Sequence, residues 1–342
     1  MEDEVPVDLV EDIFCRLPVK SVVRFKGISK RWLLQIKDPK FIKLHLQRST
    51  KSHTQGSLVT VVNKNQLCSV DLGTLRITKE SDIPFSESPK CIRLVGACNG
   101  LLCLCSWDDN NNMMVWNMST KEHRILPPVP EEYASEAHRL SLVGFGYDPC
   151  NDDYKVFRFY NYSMKGHLAI FYSLRLNSWG SNYKQEYHNF RQFAFVKWAG
   201  VYAGGALNWI AHTTHHTIIG LDLNTENVRD LRFPYKPNEP FFRINSILVL
   251  EGKLCVAGRK DHAIDIWVME EYGKEESWKF LYSIPPCSTS VGGINYVFKP
   301  LTYYHCGKDG DQVLPLMLAY GGKLSATILR RENSVITVVS FI

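Results

Sequence analysis

Residues 5–48 read VPVDLVEDIFCRLPVKSVVRFKGISKRWLLQIKDPKFIKLHLQR, and they decide how the rest of the chain is to be understood. Asp8, two residues after Pro6, is a good helix N-cap, and Val10, Ile13, Phe14 and Leu17 follow it at spacings of three and four, along one apolar stripe. Leu17-Pro18 ends that helix, because a residue before proline is pushed out of the helical conformation. Val19, Val22, Val23 and Phe25 carry a second short helix, which Gly27 breaks. Ile28, Trp32, Leu33 and Ile36 form a third stripe, Asp38-Pro39 marks a turn, and Phe41, Ile42 and Leu46 begin a fourth helical segment. A unit of roughly forty residues has a marginal core of its own. This one also holds more Val, Phe and Trp than three short helices hide from one another. Either the surplus packs on the rest of the same chain, or a partner covers it.

Charge bears on the choice. Residues 1–12 hold six acids and no base, whereas residues 13–50 carry Arg16, Lys20, Arg24, Lys26, Lys30, Arg31, Lys37, Lys40, Lys43 and Arg48. An acidic partner would be steered towards such a face. A solvated surface of short helices is the plainer reading. Nucleic acid fits less well, since neither aromatic interleaving nor a nucleic-acid motif accompanies the cations. The whole chain, at +5 over 342 residues, is too nearly balanced to imply a polyanionic partner.

Length leaves a body of nearly 300 residues after the helices, and 45% hydrophobic with 22% charged residues is an ordinary globular composition. No basic start precedes an apolar segment and no run approaches membrane-spanning length, so neither secretion nor membrane insertion is expected. The ten cysteines are dispersed without paired CxxC spacing, which fits buried thiols in a reducing compartment better than disulfides or zinc ligation.

Residues 49–57, STKSHTQGS, read as a surface connection. Beyond them the texture changes to short apolar runs between Asn, Asp, Gly and Pro turns: SLVTVV, QLCSVDL, LLCLCSW, MMVWNM, YKVFRFYNY, HLAIFYSLR, ALNWIAH, IIGLDL, AIDIWVM and others. These predict a nearly all-β antiparallel body over 58–342. Similar phrases recur around 99–128, 144–179, 203–234, 247–284 and 310–339, a spacing that matches the blades of a β-propeller with degenerate, kelch-like repeats. A two-sheet sandwich is the alternative, although so many short strands would overload it.

The helical segment over residues 1–48 resembles the F-box of plant proteins, matching its pattern at Pro6, Asp8, Leu9, Val10, Ile13, Arg16, Leu17, Pro18, Val19, Lys20, Ser21, Arg24, Phe25, Ser29, Lys30, Trp32, Ile36, Asp38, Pro39, Phe41, His45, Leu46 and Ser49. The body resembles the F-box-associated interaction domain through ACNGLLCL at 97–104, WNMSTKE at 116–122, GFGYDPCNDDYKVFR at 144–158, FYSLRLNSWG at 171–180, GGALNW at 204–209, LDLNTENV at 221–228 and LEGKLCVAGRKDHAIDIWVMEEYGKEESWKF at 250–280. Met118, Gly180 and Asn208 stand where the family has Pro, Arg and His. The resemblance implies a module that binds a Skp-type linker protein and, through it, a cullin and a RING subunit. It implies Pro6, Leu9, Ile13, Leu17, Pro18, Val22, Val23 and Trp32 as the linker-facing or linker-supporting set. The β domain would then hold a protein target at a site the sequence does not reveal. Cytosol and nucleus are the compartments expected.

Read for their chemistry, the phrases are mostly structural. Gly100, Gly146, Gly252 and Gly273 are expected at turns or close approaches. Trp116, Trp179, Trp209, Trp267 and Trp278 are expected in blade packing. Target specificity is expected in loops 131–139, 160–168, 181–191, 234–243 and 287–294. His212, His215, His216 and Asp222 are the densest metal-ligand candidates but lack a ligand spacing. Asp148, Asp152 and Asp153 lack a calcium-loop register, and Asp108 to Asn112 read as a polar hairpin. No phosphate-binding glycine loop or nucleophile elbow occurs. No catalytic residue, cofactor or metal is therefore expected, nor any nucleic-acid or membrane partner. The preferred reading is a non-catalytic substrate receptor of a cullin-RING ubiquitin ligase. A linker-bound interaction module that does not recruit cullin is the first alternative, and a propeller enzyme the remote one.

Overall fold

The computed structural model describes residues 7–52, 57–62, 66–71, 77–80, 83–85, 91–106, 112–130, 140–162, 166–181, 194–195, 198–212, 217–233, 243–250, 252–260, 263–284, 297–300, 304–305, 312–320, 323–330 and 336–340. Helix α1 (Val7–Arg16) ends before Pro18, and α2 (Val19–Phe25) begins immediately after it. Helix α3 (Lys30–Lys37) is capped by Ser29, whose Oγ accepts the Trp32 backbone N–H at 3.2 Å. Helix α4 (Pro39–Ser52) starts on a proline, where the missing N–H costs nothing, and Asp38 Oδ1 accepts the Lys40 N–H at 2.8 Å. Two expectations are corrected. Asp8 lies in the first turn of α1, not at its N-cap, and α4 continues to Ser52, into the stretch read as a connection.

The helices bury one cluster: Val10, Phe14 and Cys15 of α1, Val22 of α2, Ile36 of α3 and Phe41 of α4, with Leu17, Phe25, Trp32 and Leu44 packed against it. The Phe14 ring sits 4.9 Å from that of Phe25 and 5.3 Å from that of Trp32, so one aromatic side chain joins three helices.

The chain divides into two compact bodies. The first, Met1–Arg93 with Asn99–Ile125, holds the helices and the antiparallel sheet β1 (Ser57–Val62), β2 (Gln66–Asp71) and β3 (Ile77–Glu80). Strand β4 (Ile92–Cys98) falls mainly in the second body, while β5 (Leu101–Ser106), β6 (Met113–Trp116) and β7 (His123–Ile125) form an antiparallel ladder in the first.

The second body contains four further antiparallel sheets in chain order. One comprises β8 (Leu140–Asp148), β9 (Asp153–Tyr162), β10 (Gly166–Ser173) and β11 (Ser178–Ser181). In the next, β12 (Ala194–Phe195) and β13 (Val201–Ala203) both pair with β14 (Ala206–His212), followed by β15 (Thr217–Asp222) and β16 (Val228–Leu231). The third is β17 (Arg243–Leu250), β18 (Lys253–Lys260), β19 (Ala263–Met269) and β20 (Trp278–Ile284). In the last, β21 (Val297–Pro300) and β22 (Tyr304–His305) pair with β23 (Gln312–Tyr320), followed by β24 (Lys323–Arg330) and β25 (Ile336–Ser340).

The core of this body runs from sheet to sheet. Leu142, Phe157, Phe159 and Phe171 meet Leu207, Trp209, Ile219 and Leu221 of the next sheet. The other face of that sheet, with Ile210, Ile218 and Leu231, meets Ile244, Leu254, Val256, Met269 and Trp278. Their inner edges adjoin as well: Val143 donates to the Trp198 carbonyl and accepts from the Gly200 N–H, each at 2.8 Å. Sheets buried in sequence order, face after face, are propeller blades; two facing sheets of a sandwich would share a single core. The approach requires glycine at Gly144 and Gly146, where a Cβ would stand 2.6 Å from Leu207 Cδ1 and 2.3 Å from Tyr202 Cδ2.

Candidate functional site

The helical module has a filled interior and several large apolar side chains on an otherwise charged exterior. On α1, Val10 and Phe14 point inward at 8% and 5% exposure, whereas Leu9 and Ile13 remain 55% and 49% exposed. Pro18 is exposed at the α1–α2 corner, Leu17 and Trp32 are half-buried on the core, Val23 is half-buried and Val22 is fully buried. The eight residues expected at the linker face therefore divide. Leu9, Ile13 and Pro18 are available to a partner, Leu17, Val23 and Trp32 are partly so, Val22 supports from beneath, and Pro6 lies outside the described residues. Ile28, Leu34 and Ile42, at 64%, 72% and 52% exposed, are further large apolar groups on this module. The spacing that put Ile28 in the third stripe could not show that it precedes α3 and faces solvent.

Polar contacts hold the exposed face in place. His45 Nε2 donates to the Leu17 carbonyl at 2.9 Å, and Ser49 Oγ lies 3.4 Å from His45 Nδ1. Gln35 donates to Glu11 at 2.9 Å, joining α3 to α1. Asp12 receives Arg48 at 2.5 Å and Arg16 at 2.7 Å, and the Arg48 guanidinium holds its carboxyl below the usual range. His45 and Ser49 were visible as family matches four residues apart on α4, but the His45 to Leu17 bond joins residues 28 apart, too far for periodicity to report.

In the β domain the quoted phrases turn out to be hairpin chemistry. Asp148 accepts the backbone N–H groups of Cys150 and Asn151, Asn117 those of Ser119 and Thr120, and Asp222 those of Asn224 and Thr225. Each turn then closes through a residue of positive φ: Asp152 at 50°, Lys121 at 62° and Glu226 at 58°. Two of these turns are tied together, for Lys155 Nζ reaches Asp148 at 3.0 Å, the Leu223 carbonyl at 2.7 Å and Glu226 at 3.6 Å. Asp148 is wholly buried, which by itself would raise its pKa. Hydrogen bonds from Asn151 and Lys155 outweigh that and hold it below the usual carboxylate range. Its charge is thus satisfied by protein.

Asn208, one of the departures from the family pattern, is likewise enclosed. Its Nδ2 donates to the carbonyls of Val201 and Ala206 at 3.1 Å, and its Oδ1 accepts the Tyr272 hydroxyl at 2.8 Å. Tyr272 comes from the β19–β20 turn, and burial pushes its hydroxyl pKa up. Trp116, Trp209 and Trp278 are buried, Trp278 donating to the Arg232 carbonyl at 3.0 Å and the half-buried Trp179 to that of Pro127 at 2.8 Å. Gly100, Gly252 and Gly273 have φ of 79°, 77° and 85°.

Among the described residues no group of three or more His, Cys, Asp or Glu is arranged to hold a metal ion. His215, His216 and residues 108–111 lie outside them, as do most of the loops expected to carry target specificity. Of the described cysteines Cys150 is exposed, Cys91 is half-buried and the others are buried, all as free thiols; burial pushes Cys98 up to about 12.

Comparison with known proteins follows the same division. The family model described as F-box domain matches residues 3–44, and that described as F-box associated beta propeller domain matches residues 57–304. F-box protein CPR1 of Arabidopsis thaliana is 29% identical over 338 residues, covering 91% of this chain and 79% of that protein. An F-box/kelch-repeat protein of the same plant is 29% identical over 294 residues, covering 82% of this chain and 79% of its own. Among solved structures, the β-propeller domain of Myceliophteria thermophila Cps50 superposes with a TM-score of 0.43 at 11% identity, over 83% of this chain and 88% of that one, a likeness too distant to carry an argument.

Proposed function

Because the chain belongs to the F-box proteins that carry an F-box associated beta propeller domain, we propose that it is the substrate-recognition subunit of a cullin-RING ubiquitin ligase. Its helices dock on a Skp-type linker protein, which joins it to cullin and the RING subunit, and its β domain holds a target protein. The chain makes no bond itself. Its contribution is proximity, which raises the effective concentration of target lysines near the activated ubiquitin. It works in the cytosol or the nucleus.

The observation that carries this reading is the exposure of Leu9 and Ile13 on a helix whose opposite side is already packed. Apolar side chains of that size, held on a rigid helix, fit the anchors of a protein interface. The β domain supports the non-catalytic part, since its buried polar groups at Asp148 and Asn208 are consumed by turns and blade contacts.

The test is affinity purification of the intact protein from plant cells, followed by mass spectrometry. Recovery of linker together with cullin is the expected result. Linker without cullin would support an interaction module outside the ligase, and recovery of neither would remove the adaptor reading.

A further inference from the structure

Asp265 of β19 is 8% exposed, yet among the described residues neither an ion pair nor a hydrogen bond reaches it. A carboxylate at that depth is costly unless it is paired. Other buried acids of the chain are paired: Asp148 with Lys155, and Asp153 with the Ser173 hydroxyl and the Arg175 backbone N–H. A second unsatisfied group stands two residues along the strand, for the Trp267 Nε1–H is buried and has no acceptor among the described residues. Both lie on one face of β19. Ile266 and Val268 pack into one cluster and Met269 and Trp267 into another, so the strand alternates, and Asp265 shares the side of Trp267. The two Cα atoms are about 7 Å apart. This face meets solvent along an aromatic wall. Phe280, paired with Trp267 across β19 and β20, is 49% exposed, with its ring 5.5 Å from the indole. Phe233, which follows β16 in the preceding sheet, lies 5.4 Å from the Trp267 ring and 5.3 Å from that of Trp278. Ser283, opposite Asp265 on β20, is exposed, and Gly258, opposite it on β18, adds no side chain.

We propose that this rim, between the sheet of β12 to β16 and the sheet of β17 to β20, takes a lysine or arginine side chain of the target protein. The proposal rests on the adaptor reading and gives the target its chemistry. An unpaired carboxylate calls for a cation. Aromatic rings beside it attract the same cation through their faces and cover its apolar stem. The Trp267 N–H calls for an acceptor, which a free cation lacks and a peptide carbonyl supplies. A basic residue within a peptide chain therefore satisfies both groups, its head on Asp265 and a backbone carbonyl on Trp267. A phosphate would satisfy the indole but would be repelled by the carboxylate.

The experiment follows the indole N–H signals of the nitrogen-15-labelled full chain by nuclear magnetic resonance, with the Trp267 signal identified by its loss in Trp267→Phe. The probes are the Nα-acetyl N-methylamides of arginine, lysine and norleucine, and methylguanidinium, at constant ionic strength. The Trp267 signal is expected to move downfield and saturate with the arginine or lysine amide, at a Kd on the order of 1 mM. The norleucine amide, which lacks the cation, and methylguanidinium, which lacks the carbonyl, bind about tenfold more weakly or not at all. Asp265→Asn weakens the basic amide about tenfold, and Phe280→Ala, at an exposed position, about threefold. The Asp265→Asn melting temperature is expected to equal or exceed that of the wild type, because an unpaired charge is removed. A lower one assigns the carboxylate to the fold and overturns the proposal. So do equal binding of the norleucine amide, unchanged affinity in Asp265→Asn, and no movement of the signal up to the solubility limit of the amides. Methylguanidinium bound as tightly as the arginine amide would mark a small-cation site and overturn it also. The titration needs no linker protein, so its failure leaves the adaptor reading standing, whereas purification without linker overturns that reading whatever the titration shows.

Discussion

His45 of α4 donates through Nε2 to the backbone carbonyl of Leu17 at 2.9 Å, across 28 residues of sequence. The bond has a local cause. Ser21 and Val22 both donate to the Pro18 carbonyl, which leaves the Leu17 carbonyl at the α1–α2 corner in need of a donor from elsewhere. His45→Ala removes that donor and is expected to cost about 1–2 kcal/mol of stability. Urea unfolding of the two proteins measures it, and equal midpoints would mean that water serves the carbonyl as well.

The corner also adjoins the proposed partner face, and the two sides of α1 and α2 predict opposite phenotypes. Leu9→Asp with Ile13→Asp alters exposed positions, so it should abolish linker capture while leaving the melting temperature nearly unchanged. Val22→Ala opens the buried cluster and should lower stability by about 2 kcal/mol while sparing capture of the protein that remains folded. Parallel thermal melts and linker pull-downs separate them. If the double variant still captures linker, α1 is not the anchor.

Much of this architecture is legible in the residues, and the limits have physical causes. The breaks at Pro18 and Asp38-Pro39 and most of the strands follow from local chemistry, which sequence displays directly. The inward and outward sides of the helical module do not. A four-helix unit with apolar residues on more than one face offers no periodic signal to distinguish Val22, buried, from Leu9, exposed. The Tyr272 to Asn208 bond joins two blades 64 residues apart, and nothing local to either residue announces it. Asp148-Pro149 followed by Asn151-Asp152-Asp153 has the composition of a turn, and Asp148 accepts that turn's backbone N–H groups; its tie through Lys155 to the next hairpin is a tertiary fact.

Adjacent glycines at the β13–β14 turn provide a matched test of blade packing. Gly204 and Gly205 both have positive φ, 61° and 78°, so alanine at either pays a similar backbone penalty of about 1 kcal/mol. Their surroundings differ. A Cβ at Gly204 would stand 2.3 Å from Tyr272 Cγ, whereas one at Gly205 meets nothing within 4 Å. Gly204→Ala is therefore expected to cost about 1–3 kcal/mol more than Gly205→Ala. Equal losses in denaturant titrations would show that the Tyr272 turn moves aside freely.

Asp148 carries the pH prediction. Its folded pKa lies below its ordinary value of 3.8 despite burial, because Asn151 and Lys155 favour the charged form. A depressed carboxyl contributes stability that is fully present above its unfolded pKa and is lost as pH falls through the lower, folded value. Asp148→Asn leaves Lys155 facing only the Leu223 carbonyl and Glu226, and should cost about 3 kcal/mol at pH 7. At a pH below the folded pKa the wild-type carboxyl is protonated and has lost the same ion pair, so the gap between the two proteins should narrow. Unfolding free energies measured from pH 7 down to the most acidic pH at which both proteins stay folded test the sign. A gap that stays constant would assign the cost to shape and hydrogen bonding at the turn, and a gap that widens in acid would overturn the depressed pKa itself.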